Sequence, residues 1–375
     1  MIKNILLIIV FMIIFSLPVS AQNYDVDELY KDQYKNSNFE SLYDLIDEET
    51  KKILEEFEFY PESMSNATDF SLEKVFNVLI YFFKDAVKTP LAVFISTLGT
   101  SILMGAVKAA EPDNKSFGIS DIAGLSVVSV AIIAPAFVFF KTVSSTIKTA
   151  SVFMAGFVPV FGGILVTSGR PTTSTLTTTS LLLSSQLCEQ ISSFVILPVV
   201  SAYLAISVAS SFTDKLNIEK ISSSIQKTVA FCMTSIMTLF SATLSIQSII
   251  GSSADSITLR TFRLIAGSTP IIGGVVSEAT GIVSSCLNTL KNSAVIYAVI
   301  CFAALFLPII IELLLWRLSM FCASVVADMF GSHKISALVS SVGYSFGVVT
   351  SVAVNTLIMF VISLTVIMMT SGVAI

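Results

Sequence analysis

The sequence predicts an all-α polytopic membrane protein, and three observations carry that reading. Of 375 residues, 54% are hydrophobic and only 13% charged, where a soluble domain carries about 25% charged residues; the mean hydropathy is +0.86. Long apolar stretches alternate with short polar breaks, the pattern of repeated membrane crossings. A Pro-Gly-Gly string also recurs downstream of itself. This composition excludes an ordinary soluble enzyme, a disordered chain and a nucleic-acid binder; the partner it implies is the lipid bilayer. The formal charge of −5 is unevenly spread. Residues 22–89 hold 16 Asp/Glu against 7 Lys, whereas from Pro90 onward 13 Lys/Arg face 10 Asp/Glu. An acidic head therefore precedes a nearly neutral membrane body.

Residues 1–21 read as a secretory signal peptide. Lys3 supplies the positive start, Ile5 to Leu17 the short apolar run, and Val19-Ser20-Ala21 the small residues before a cut at Gln22. The alternative is an uncleaved anchor; either way residues 22–89 are expected outside the cytosol. Within this head, Phe39, Leu42, Tyr43, Ile46, Ile53, Leu54 and Phe57 share one helical face, and Pro61 stops the pattern. The face either packs on the rest of its own chain, the favoured reading, or docks a partner outside the membrane. From Asp69, a plausible N-cap, to Lys88 the polar residues form only a narrow stripe. That suits a helix at the membrane interface or one packed on the spans.

The membrane body occupies 90–375. Its apolar segments run Pro90–Lys108, Asp121–Phe140, Ser151–Val166, Ile191–Phe212, Val229–Ile250, Leu264–Val276, Ala294–Leu315, Leu318–Met329 and Ala337–Gly372. The last exceeds one span of about 20 residues, so a break is expected near Gly343–Gly347 or Asn355. Six to eight full spans are expected.

Two strings share the form A-G-x-x-P-x-x-G-G. The first carries Gly156, Pro159, Gly162 and Gly163, the second Gly267, Pro270, Gly273 and Gly274, followed by Glu278. Leu197-Pro198 recurs as Leu307-Pro308, and Lys220-Ile221-Ser222 as Lys334-Ile335-Ser336. Offsets of 111, 110 and 114 residues in the same order predict two tandem repeats, at about 153–250 and 264–372. Proline removes a helix hydrogen bond, and glycine permits positive φ or close approach. Peptide groups freed in this way must be buried in protein or line a wet cavity. Broken or re-entrant helices facing each other across a pseudo-symmetry axis are one expectation; simple close packing of helices is the other.

Thr167 to Gln186 is crowded with Ser and Thr. They line a polar path or, more simply, bond back to the preceding helical turn. Arg170, Glu189, Glu278, Glu312, Arg317 and Asp328 interrupt or flank apolar segments, and each must face protein, water or the interface. The chain has one histidine, His333, and its five cysteines stand in apolar surroundings. No metal-ligand spacing, nucleotide-binding glycine loop or nucleophile motif is found. Neither catalytic, cofactor-binding nor metal residues are predicted.

The order of signal peptide, acidic head and repeated A-G-x-x-P-x-x-G-G body resembles the stage III sporulation protein AE family of endospore-forming bacteria. The most telling stretch is Ala266 to Asn292, with Pro270-Ile271-Ile272-Gly273-Gly274 leading to Glu278. The resemblance covers essentially the whole chain. It implies a multi-pass component of the membrane that the mother cell wraps around the forespore. It also implies partners: the other stage III A-set proteins, including the AA ATPase, and the forespore stage II Q protein. That set looks like a secretion or feeding channel. The family offers no catalytic motif to carry over. The alternatives are a stand-alone secondary transporter with a site between the two strings, and a membrane scaffold.

Overall fold

Helical periodicity governs every described element. The structure, a computed structural model, describes residues 39–56, 83–84, 86–110, 119–191, 197–212, 218–267 and 273–370. The signal peptide, most of the acidic head, the Asp69 to Lys88 pattern up to residue 82, and Pro270 lie outside them. A 3-10 helix, Phe39–Leu45, is followed by α1 (Glu48–Glu56), α2 (Lys88–Ala110), α3 (Ile119–Thr167) and α4 (Pro171–Ile191). The remaining helices are α5 (Leu197–Ser211), α6 (Ile218–Gly267), α7 (Gly273–Met329) and α8 (His333–Thr370). Among the described residues there is no strand.

Four members of the predicted head face are buried, but not on one helix; Tyr43 is half-buried and Phe57 lies outside the described residues. Leu42, Ile46, Ile53 and Leu54 are all buried, the 3-10 helix against α3 and α1 against α7. Asp47 restarts the helix: its carboxylate accepts Thr50 Oγ1 at 2.6 Å, and its carbonyl accepts the Lys51 amide at 3.0 Å. Asp47 thus stands at the N-cap position, its carboxylate taking the Thr50 hydroxyl rather than a backbone amide.

Aromatic rings fix the register of the bundle. Trp316 of α7 stacks on Phe346 of α8 at 4.7 Å, with Phe139 of α3 6.3 Å from both and Phe140 4.8 Å from Phe346. Phe302 forms a second rung, 5.4 Å from Phe153 and 4.6 Å from Phe360. From one rung to the next, α3 and α8 advance by fourteen residues while α7 retreats by fourteen. Hence α3 and α8 are parallel, α7 is antiparallel to both, and the rungs stand about 21 Å apart. Helix α6 runs parallel to α8. Gly347 abuts Gln226, and Met233 and Met237 line one small cavity with Asn355 and Met359. Helix α5 is tied to α8 by Tyr203, whose hydroxyl donates to the Ser341 carbonyl at 2.8 Å. Tyr203→Phe is expected to cost about 1 kcal/mol, read as a small fall in the thermal midpoint of the purified protein.

Among the described residues, five helices are long and apolar enough to cross a membrane: Lys88–Val107, Ile122–Thr167, Ser223–Ile257, Asn292–Met329 and His333–Thr365. This is fewer than the six to eight expected, because several apolar segments are fused. Asp121–Phe140 and Ser151–Val166 belong to α3. Lys141, Thr142, Ser145 and Lys148 between them are exposed, while Phe140, Val143, Ile147 and Ala150 stay buried, so the helix continues through the polar stretch. Ala294–Leu315 and Leu318–Met329 likewise share α7. Helix α8 has no break at Gly343–Gly347 or Asn355. The Asn355 amide donates to the Ser351 carbonyl at 2.7 Å, within the helix's own preceding turn.

Candidate functional site

The first A-G-x-x-P-x-x-G-G string does not break its helix. Helix α3 runs unbroken through Pro159. Pro159 and Ala155, the residue whose carbonyl loses its donor, both lie on the exposed face, which leaves no stranded group in the core. Among the described residues, only Gly169 (φ 75) and Gly331 (φ 70) are positive-φ glycines. The broken or re-entrant expectation is therefore corrected here, and the close-packing one explains two of the glycines. A Cβ on Gly156 would collide with Leu45 of the head. A Cβ on Gly162 would lie 2.8 Å from Thr178 Cγ2 of α4. Gly163 is exposed with nothing within 4 Å.

The second string stands in a different setting. Helix α6 ends at Gly267 and α7 begins at Gly273. Pro270 lies outside the described residues, as do the side-chain surroundings of Gly267, Gly273, Gly274 and Glu278.

The true helix reversals use the two positive-φ glycines. After α3, the Arg170 amide donates to the Leu165 carbonyl and the Gly169 amide to that of Val166, both at 3.0 Å. After α7, the Ser332 amide donates to Ala327 at 2.9 Å and the Gly331 amide to Asp328 at 3.0 Å. Both are Schellman caps, in which glycine supplies the left-handed residue at least cost. Pro171, whose missing N–H costs nothing at a first helical position, then opens α4.

Helix α4 buries its hydroxyl face, with Thr173, Ser174, Thr177, Ser180, Ser184 and Ser185 turned inward between α3 and α6. The simpler reading of these residues holds for most of them. Thr175, Thr178, Thr179, Ser180, Ser184 and Ser185 donate to carbonyls three or four residues back. Two reach other helices: Ser174 Oγ donates to the Gly162 carbonyl at 2.9 Å, and Ser180 Oγ pairs with the Gln247 side-chain amide of α6. Gly251 lets α6 approach until a Cβ there would lie 3.0 Å from the Thr173 backbone.

One turn beyond Gly251, Asp255 occupies the start of α4. Its two carboxylate oxygens accept the Thr172 and Thr173 amides at 3.1 and 2.7 Å. A helix start is a ready acceptor of negative charge. Arg170, 9% exposed, lies beside it; burial lowers its pKa while the Asp255 charge raises it. Sequence reasoning named Arg170 and missed Asp255, which follows Ser252 and Ser253 and reads as one more polar break. Of the other ionisable residues singled out, Glu312 accepts the buried Trp316 indole at 3.3 Å, and Asp328 pairs with His333 at 3.1 Å. Among the described residues, no group of three or more His, Cys, Asp or Glu could hold a metal ion.

Fold and site together define a class: a multi-pass helical membrane protein whose singled-out residues join helix to helix. The chain belongs to the stage III sporulation protein AE family, whose sequence profile matches residues 56–371. It is similar to stage III sporulation protein AE of Bacillus subtilis (strain 168), at 26% identity over 231 residues, covering 60% of this chain and 56% of that one. The matched stretch thus spans little more than half of that relative. No solved structure matches the chain.

Proposed function

We propose that the chain is a non-enzymatic component of the transport complex between mother cell and forespore, in the mother-cell membrane that surrounds the forespore. The other stage III A-set proteins, including the AA ATPase, and the stage II Q protein are its partners in this reading. The observation that supports it is the height of the bundle. Helices α3, α6 and α7 have 49, 50 and 57 residues, roughly 75–85 Å at 1.5 Å per residue, against about 30 Å of hydrocarbon. A stand-alone carrier needs no such length.

In this reading the bilayer takes one level of the bundle, although the Ser223–Ile257 stretch of α6 beyond it is also apolar and long enough to cross. From Gly124, beside Met104 near the Gly331 turn, to the exposed Lys141 is seventeen residues, about 26 Å. The head docks at Gly156, above this slab, with Asp44, Asp47, Glu48 and Glu55 exposed. The half of the bundle that carries the head, α4 and the upper part of α6 then projects from the membrane. Leu239, Ile246, Ile249, Ile250 and Ile257 are exposed along that part of α6, a surface for other members of the complex.

The test uses single cysteines in a cysteine-free background in sporulating cells. A cysteine at Ile249, 60% exposed, is expected to react with an impermeant maleimide and to cross-link to a stage III A-set protein. One at Val130, 72% exposed, is expected to stay unreactive within the hydrocarbon. A reporter active only outside the cytosol, fused after Thr89, should be active. Labelling at Val130 with protection at Ile249 would refute the placement, and absence of any cross-link to the set would refute the complex.

A further inference from the structure

We propose that the cleft between α7 and α8 at Arg317 binds the phosphate of an anionic phospholipid, with the acyl chains lying along α7. Arg317 lies within the apolar stretch Asn292–Met329 and is exposed. Among the described residues it has no hydrogen-bond or ion-pair partner. A guanidinium in that position is costly unless something answers its charge. The nearest acid in sequence, Glu312, is engaged with the buried Trp316 indole. It stands five residues away, on a different side of the helix.

The surroundings of Arg317 define what fits. The cleft has a volume of about 150 Å³ and is lined by Arg317 and Ser324 on α7 and by Ser340 and Tyr344 on α8. Ser340 and Tyr344 offer hydrogen-bond donors, Ser324 already donating to the Phe321 carbonyl at 2.8 Å, and no carboxylate lines the cleft. Gly343 brings α8 against Met320, with a Cβ there 3.3 Å from Met320 Cβ. The lining joins apolar Met320 and Phe321 to Arg317, Ser340 and Tyr344, which suits one phosphate group.

A soluble anion would satisfy the cleft but leave the next feature without a role. From the cleft toward the Gly331 turn, Leu318, Phe321, Val325 and Met329 are exposed at spacings of three, four and four residues. That is one continuous apolar face of α7. It extends eleven residues, about 16 Å, close to half the hydrocarbon thickness. Headgroup at Arg317 and chains along this face match a phospholipid in one leaflet. The stem of Arg317 is long enough to carry a guanidinium to the headgroup level.

The full chain, purified in detergent, is titrated with phosphatidylglycerol, phosphatidylcholine or inorganic phosphate, and retained lipid is counted by native mass spectrometry. One phosphatidylglycerol should be retained in preference to phosphatidylcholine. Arg317→Leu should weaken that retention by about tenfold or more, the loss of one charge-assisted contact. Arg317→Lys should retain part of it. Tyr344→Phe, which keeps the packing, should weaken it by a smaller factor and serves if Arg317→Leu fails to fold. Inorganic phosphate should not compete. Competition by inorganic phosphate equal to that of the lipid would replace the lipid by a free anion. Equal retention by wild type and both Arg317→Leu and Tyr344→Phe would overturn the site.

Discussion

Replacing Asp255 with alanine is expected to cost about 1–3 kcal/mol, the range for leaving buried donors without their acceptor. Two losses act together. The Thr172 and Thr173 amides lose the carboxylate that accepts them at 3.1 and 2.7 Å. Arg170, 9% exposed, loses the neighbouring negative charge. Water can reach the amides once α4 separates from α6, so the expected outcome is detachment of the hairpin tip with the rest of the bundle intact. Asp255→Asn keeps an acceptor and loses the charge, and should fall between wild type and alanine. Thermal unfolding of the purified variants measures the cost. A cysteine at Thr173, buried in the wild type, reports detachment by becoming reactive. Wild-type stability in Asp255→Ala would mean the carboxylate contributes nothing to holding α4.

Asp255 also shows which part of the protein could be read from the sequence and which could not. The fold class was plain, since apolar stretches of this length leave the backbone no alternative to helices. The buried face of the head was equally plain in Leu42, Ile46, Ile53 and Leu54. The number of spans was harder to read, because hydropathy averages around the helix circumference. Lys141 and Lys148 look like an interruption along the chain, yet they point outward from a helix whose inner face continues with Val143, Ile147 and Ala150. Asp255 was hidden for another reason: its partners, Thr172 and Thr173, are 83 and 82 residues away. No local pattern encodes a cap delivered from a distant helix.

The same distinction decides what the first Pro-Gly-Gly string does. Read locally, Gly162 and Gly163 are equivalent members of a helix-breaking string. Within the bundle they differ in surroundings. Gly162 is buried, its carbonyl accepts Ser174 Oγ at 2.9 Å, and a Cβ would lie 2.8 Å from Thr178 Cγ2. Gly163 is exposed with no atom in range of a Cβ. Gly162→Leu should therefore push α4 from α3 and cost about 1–3 kcal/mol by overpacking, with a corresponding fall in sporulation at equal expression. Gly162→Ala should cost less, since a rotation of the Thr178 side chain relieves the contact. Gly163→Leu should be neutral or slightly stabilising, because glycine within a helix costs about 0.8–1.0 kcal/mol relative to alanine. Thermal midpoint, membrane level and sporulation efficiency are measured together for the three variants. Equal damage from leucine at both positions would restore the backbone-break reading, for which the two glycines act as a pair. Damage at Gly162 alone assigns the string to helix packing, with the opening of α4 resting instead on Gly169 and Asp255.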